Sequence, residues 1–178
     1  MKKYLYFFIL GLFFVLSSLY LPNAVFAQEE VENNNSLATA NALTSGQDML
    51  GTISTSSDVD FFKLSTSGAG QIRFELISVP EGLDLGMYIY DKQGNYWFNV
   101  NSKGETGKEV AIFYVDEAGE YAVQVYRSGG ISSSQIKYTL RPTFTLLAEI
   151  DPYEPNNNLA VAIELTSGQE ILSKIYRA

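Results

Sequence analysis

Gln71-Ile72-Arg73-Phe74-Glu75-Leu76-Ile77 alternates without a break: Ile72, Phe74 and Leu76 fall on one side, Gln71, Arg73 and Glu75 on the other. A period of two is the mark of a strand with one face in a core and one in water. The same alternation recurs on the C-terminal side. In Glu120 to Arg127, Tyr121, Val123 and Val125 oppose Gln124 and Tyr126; in Gln135 to Arg141, Ile136, Tyr138 and Leu140 oppose Lys137 and Thr139. Extended along the chain, the pattern predicts eight strands: Asp48 to Ile53, Asp60 to Ser65, Gln71 to Ile77, Leu83 to Asp91, Tyr96 to Val100, Glu109 to Val115, Glu120 to Arg127 and Gln135 to Leu140.

Turn chemistry separates these strands at Ser67-Gly68, Pro80-Glu81-Gly82, Lys92 to Asn95, Lys103-Gly104, Glu117 to Gly119 and Ser128 to Gly130. A short helix is expected only in Ser36 to Leu43. Many short strands with no long amphipathic helix read as all-β, an antiparallel β-sandwich of the jelly-roll kind with about eight strands, a barrel being the alternative.

Leu43-Thr44-Ser45-Gly46-Gln47 returns as Leu165-Thr166-Ser167-Gly168-Gln169. Setting Glu32 over Glu154 gives 13 identities in the 22 positions to Ile53/Ile175. So long a period describes a whole domain rather than a solenoid unit. The expected organisation is a signal peptide over 1–27, a sandwich over 28–147, a linker over 148–153 and the truncated start of a second unit over 154–178. The signal reading rests on Lys2 and Lys3, the apolar run from Tyr4 to Leu21 and small residues ahead of a cut after Ala27.

Composition narrows the chemistry. The formal charge is −8, which argues against nucleic acid and anionic membranes as partners. There is no cysteine, hence no disulfide, and no histidine, which removes the usual general base, the Ser-His-Asp and Cys-His systems and every His-based zinc site. The Ser clusters at Ser56-Ser57 and Ser132 to Ser134 therefore have nothing to activate them. We read the chain as not an enzyme.

Acidic oxygens are what a hard cation binds. Glu30, Glu32 and Asn34 alternate, so an extended segment places them on one face, and Asp58 and Asp60 share a face by the same rule. These five are the candidate Ca²⁺ ligands; the competing reading is a solvated N-terminal segment, with Asp60 serving a turn. Among the aromatics a sugar or peptide would use, Tyr88, Tyr90, Tyr96, Trp97, Phe98, Tyr126 and Tyr138, most are expected in the core, Trp97 and Tyr138 included. Tyr126 shares its face with Gln124 and is the candidate ligand-binding residue.

An ordered set of motifs resembles one family. It comprises Glu32 to Asn35, Asp48 to Ile53, Ser57 to Leu64 (SDVDFFKL), Leu85 to Asp91 (LGMYIYD) with Gly94-Asn95, and Gly119 to Val125 (GEYAVQV); Asp151 to Asn157 (DPYEPNN) matches its opening again. The family is the bacterial pre-peptidase C-terminal domain, the accessory module of secreted peptidases, clostridial collagenases among them. The resemblance implies a jelly-roll sandwich with no catalytic centre, secreted and extracellular. Its implied partners are an associated secreted peptidase or an extracellular polymer, collagen-like protein or polysaccharide. It also implies calcium held by Glu30, Glu32 and Asn34 from the first segment and by Asp60. A family aspartate falls here on Ser57, with Asp58 one residue later.

Overall fold

The structure is a computed structural model, and it describes residues 26–101, 108–131, 133, 135–150, 153, 156, 158–168 and 170–171. The expected signal peptide lies, but for its last two residues, outside them. Among the described residues no helix is long and apolar enough to cross a membrane.

Among the described residues ten strands form two five-stranded sheets packed face to face. They are β1 (Gln28–Glu29), β2 (Asn41–Leu43), β3 (Met49–Gly51), β4 (Val59–Thr66), β5 (Gly70–Ser78), β6 (Leu83–Tyr90), β7 (Tyr96–Val100), β8 (Val110–Val115), β9 (Gly119–Gly130) and β10 (Tyr138–Leu146). One sheet runs β1-β3-β10-β5-β8, the other β2-β4-β9-β6-β7. From β4 onward the chain changes sheet at nearly every step, which buries the inward residues of both sheets between them. Ile72, Phe74 and Leu76 from β5 meet Val123 and Val125 from β9 in one cluster with Phe62, Met87, Ile89 and Tyr138, all fully or almost fully buried. The all-β sandwich read from the alternation is the fold observed.

Three differences are informative. The sheets are not antiparallel throughout, because β1 pairs with β3 and β2 with β4 in parallel. The cause is the Leu43 to Gln47 motif, which carries the chain from the edge of one sheet to the other. Gly46 turns with φ +79°, its N–H bonds the Pro142 carbonyl at 2.8 Å, and Gln47 N–H closes the turn on Thr44 at 3.0 Å. The expected helix shrinks to a 3₁₀ turn at Leu37–Thr39, and Asn41–Leu43 goes into strand because β4 offers an edge there.

The last strand starts later than expected, so that Ile136 is 69% exposed, and it continues through Pro142 to Leu146. Proline is tolerated because β3 pairs only with Tyr138 to Leu140; beside Pro142 lies the Gly46 turn, which uses the Pro142 carbonyl and needs no N–H from it. Trp97 is corrected too: it is 43% exposed, since Phe98 and Val100 take the inward phase of edge strand β7, and it sits edge-on to Phe98 and Phe113. A helical turn, α1 (Leu147–Ile150), follows β10. In the second repeat Leu159 and Leu165 are 96% and 68% exposed.

Candidate metal centre

The N-terminal segment is tied down before it reaches the site. β1 adds to β3, and Glu30 N–H continues the ladder to the Leu50 carbonyl at 3.0 Å. This fixes the Glu30 carboxylate over the end of β3, where Oε1 accepts from Thr52 N–H at 2.5 Å and from Thr52 Oγ1 at 2.8 Å. Further on, the Asn34 carbonyl accepts from Phe61 N–H at 2.9 Å, pinning the segment against β4. Between those anchors the Glu32–Asn33 peptide is cis.

The result is a convergence of carboxylates. Glu30, Glu32 and Asp60 each bring an oxygen to within 4.8 Å of the others, with Glu30 half-buried, Glu32 exposed and Asp60 fully buried. Asp60 reaches the cluster from β4, pointing between the sheets. Its Oδ2 accepts a 2.5 Å hydrogen bond from the Tyr138 hydroxyl, which leaves Oδ1 facing the cluster.

Asn34 completes it. Its amide is wholly inaccessible; one end lies 3.2 Å from both Asp60 Oδ1 and Glu32 Oε2, and the other is 3.4 Å from Glu30 Oε2. With protons alone, the NH₂ belongs at the 3.2 Å end, where it donates to both carboxylates. A cation there would reverse the preference and would be met by the amide oxygen beside the carboxylates.

Asp58 lies outside the group of three. It is buried, but Oδ2 is taken by Ser54 N–H at 2.6 Å and Ser54 Oγ at 2.7 Å, closing the turn before β4. One end of the Asn35 amide lies 3.1 Å from Asp58 Oδ1 and 2.7 Å from the Val59 carbonyl, so the NH₂ belongs at that end, where it donates to both. Ser57 is exposed in that same turn.

Electrostatics follow the geometry. Burial, and next the Glu30 charge, push the Asp60 carboxyl up to about 9, against the pull of the Tyr138 hydrogen bond. Burial and the Asp58 and Glu30 charges raise Glu32. The Tyr138 hydroxyl is held well above its usual value by burial and by Asp60. A site built this way repels anions and attracts either protons or a cation.

The donor set fits calcium. It is all oxygen, carries three carboxylates and an amide, and comes from two separate stretches of chain, which is the pattern a hard divalent ion takes. An ion held by Glu30, Glu32, Asn34 and Asp60 would supply positive charge that neutralises the carboxylates and ties the N-terminal segment to β4. Two residues that sequence reasoning did not assign to the site support it. A buried tyrosine hydroxyl needs a partner, and that requirement was the available signal for Tyr138. Gly51 leaves the room: a Cβ there would collide with the Tyr138 ring and come within 2.8 Å of Glu30 Oε2.

Tyr126 lies elsewhere, on the outer face of the β2-β4-β9-β6-β7 sheet. It is half-buried and stacked on Tyr88 at 4.3 Å.

No family model matches the chain. No curated protein matches it. One similarity is to a solved structure, the pre-peptidase C-terminal domain of a collagenase from Bacillus anthracis. The two chains are 17% identical with a TM-score of 0.48, and the match covers 58% of this chain and 94% of that one. What that collagenase acts on belongs to that protein.

Proposed function

We propose that this chain is a non-catalytic accessory module of a secreted bacterial protein, whose sandwich is tightened by Ca²⁺ at Glu30, Glu32, Asn34 and Asp60, with Asp58 holding the neighbouring turn. The observation that carries the reading is the buried Asn34 amide set 3.2 Å from two carboxylates. Three carboxylates and an amide crowded together cost free energy unless protons or a cation compensate them. An exported chain without disulfides gains from such a tie, because it fastens a terminal segment that otherwise frays.

The non-catalytic part rests on chemistry. The chain has no histidine or cysteine, and the oxygens of the Asp60 carboxyl, which burial and its neighbours perturb most among the described residues, are committed to Tyr138 and the cluster. The test is thermal unfolding of the full chain in millimolar calcium and in chelator. A ligand that binds only the folded state raises the midpoint with concentration. Equal midpoints in calcium and chelator would sink the metal.

A further inference from the structure

Every open sheet has two edges, and an edge strand offers a row of N–H and C=O groups to any other strand that can pair with it. Three of the four edges here are blunted. β1 and β2 are two and three residues long, and β7 is bulged, since Tyr90 pairs with Tyr96 and Ile89 with Phe98, leaving Trp97 over. β8 has no such protection. Its six residues, Val110-Ala111-Ile112-Phe113-Tyr114-Val115, include no charge, proline or glycine and pair with β5 in unbroken register. Among the described residues no strand lies on its other side.

We infer that β8 is the contact through which two copies of this chain pair, antiparallel and two-fold symmetric about Ile112, so that two five-stranded sheets become one of ten. The inference depends neither on the metal nor on the accessory role.

Hydrogen-bond phase makes the first selection. Leu76 N–H donates to the Glu109 carbonyl at 2.9 Å, so Glu109, Ala111, Phe113 and Val115 turn their main-chain groups toward β5. Val110 and Ile112 turn theirs outward. Two copies of β8 keep this phase only in registers that set an even-numbered residue opposite an even-numbered one.

Charge makes the second selection. Lys108 precedes the strand and Asp116 follows it, and both are exposed. Centred on Ile112, the pair sets Lys108 opposite the partner's Asp116 at one end and Asp116 opposite the partner's Lys108 at the other. Centring it one residue earlier sets Lys108 opposite the partner's Tyr114, and one residue later sets Asp116 opposite the partner's Val110. Only the middle register matches charges. It also lays Ile112, which is 50% exposed, on the partner's Ile112 and Val110 on the partner's Tyr114, pairings of β-branched and aromatic residues that favour a sheet. A foreign strand would need only the open backbone row; the charges at both ends of β8 fit β8 itself, as a two-fold contact requires.

The chain has no cysteine, so an introduced thiol is the only one it carries. Directly opposed residues of a hydrogen-bonded antiparallel pair have Cα atoms about 5.5 Å apart, a distance that a disulfide spans. Ile112→Cys is therefore expected to cross-link into a dimer on mild oxidation. Val110→Cys stands four residues along the strand from its own copy, roughly 14 Å, and is expected not to cross-link. In sedimentation the full chain is expected to form a dimer that dissociates on dilution through the micromolar range, as so small a contact should. Ile112→Lys sets two like charges face to face at the axis and is expected to be monomeric. Lys108→Glu is expected to weaken association about fivefold, and adding Asp116→Lys to restore it, which separates lost charge pairing from lost folding. A chain monomeric up to about 1 mM, a dimer that survives Ile112→Lys, cross-linking of Val110→Cys in place of Ile112→Cys, or no rescue by the charge swap would each overturn the inference. A dimer in which neither thiol cross-links would overturn it too, and would point to another contact, such as the exposed segment from Leu159 to Leu165.

Discussion

Asp60 holds a carboxyl where water does not reach, and that has a signed consequence for stability. Its folded value of about 9 lies far above the ordinary value of about 3.9, so between those limits the folded chain binds more protons than the unfolded one. Stability then falls as pH rises. In chelator we expect the thermal midpoint to drop from pH 5 to pH 8; in saturating calcium the ion replaces the proton and the drop should largely disappear. A midpoint in chelator that is flat or rises would refute the assignment. Asp60→Asn mimics the protonated carboxyl, so it should flatten the chelator profile and abolish the calcium shift together. Gly51→Ala tests the space beside the site: overpacking against Tyr138 should cost about 1–3 kcal/mol, read from denaturant unfolding. The ligand candidates were legible because spacing of two sets them on one face. Tyr138 and Gly51 were not, since their meeting depends on β3 pairing with β10, a contact between residues distant in sequence.

At the scale of elements, strands with clean alternation were found to within a residue or two, as in β4, β5 and β6. What failed was short or tertiary in origin. A two-residue β1 and a three-residue β2 have no period to detect, and exist because β3 and β4 present edges to them. Likewise β10 runs on through Pro142 because its neighbour ends first. The repeated Leu-Thr-Ser-Gly-Gln motif allows a controlled test of one element against its twin. Gly46 and Gly168 both have positive φ, 79° and 83°, and neither has any atom near a would-be Cβ, so alanine strains only the backbone. Gly46→Ala should cost about 1–2 kcal/mol, because that turn sets both β2 and β3 on their sheets. Gly168→Ala should leave the sandwich's unfolding midpoint where it was. Equal losses in the two variants would mean that the second copy shares in the sandwich's cooperative unit.

For the whole molecule the question is what the sandwich needs in order to stand. Its buried cluster draws on residues from Leu43 to Leu140, with Phe144 packed against it, and among the described residues no core member comes from beyond β10. The described part of the second repeat shows the opposite character: Leu159, Val161, Ile163 and Leu165 are all exposed, although Leu165 is the counterpart of Leu43, which is 7% exposed in the first copy. The same leucine is buried where β4 offers it an edge and exposed where no such strand pairs with it, so burial here is decided by the partner strand and not by the motif. It follows that ending the chain after Ile150 should shift the thermal midpoint by less than the roughly 4 °C that corresponds to 1 kcal/mol in a domain of this size. The calcium shift should survive intact, since every candidate ligand lies before β5. A larger loss, or a calcium response that vanishes with the tail, would show that the second repeat closes over the first unit and is part of its fold.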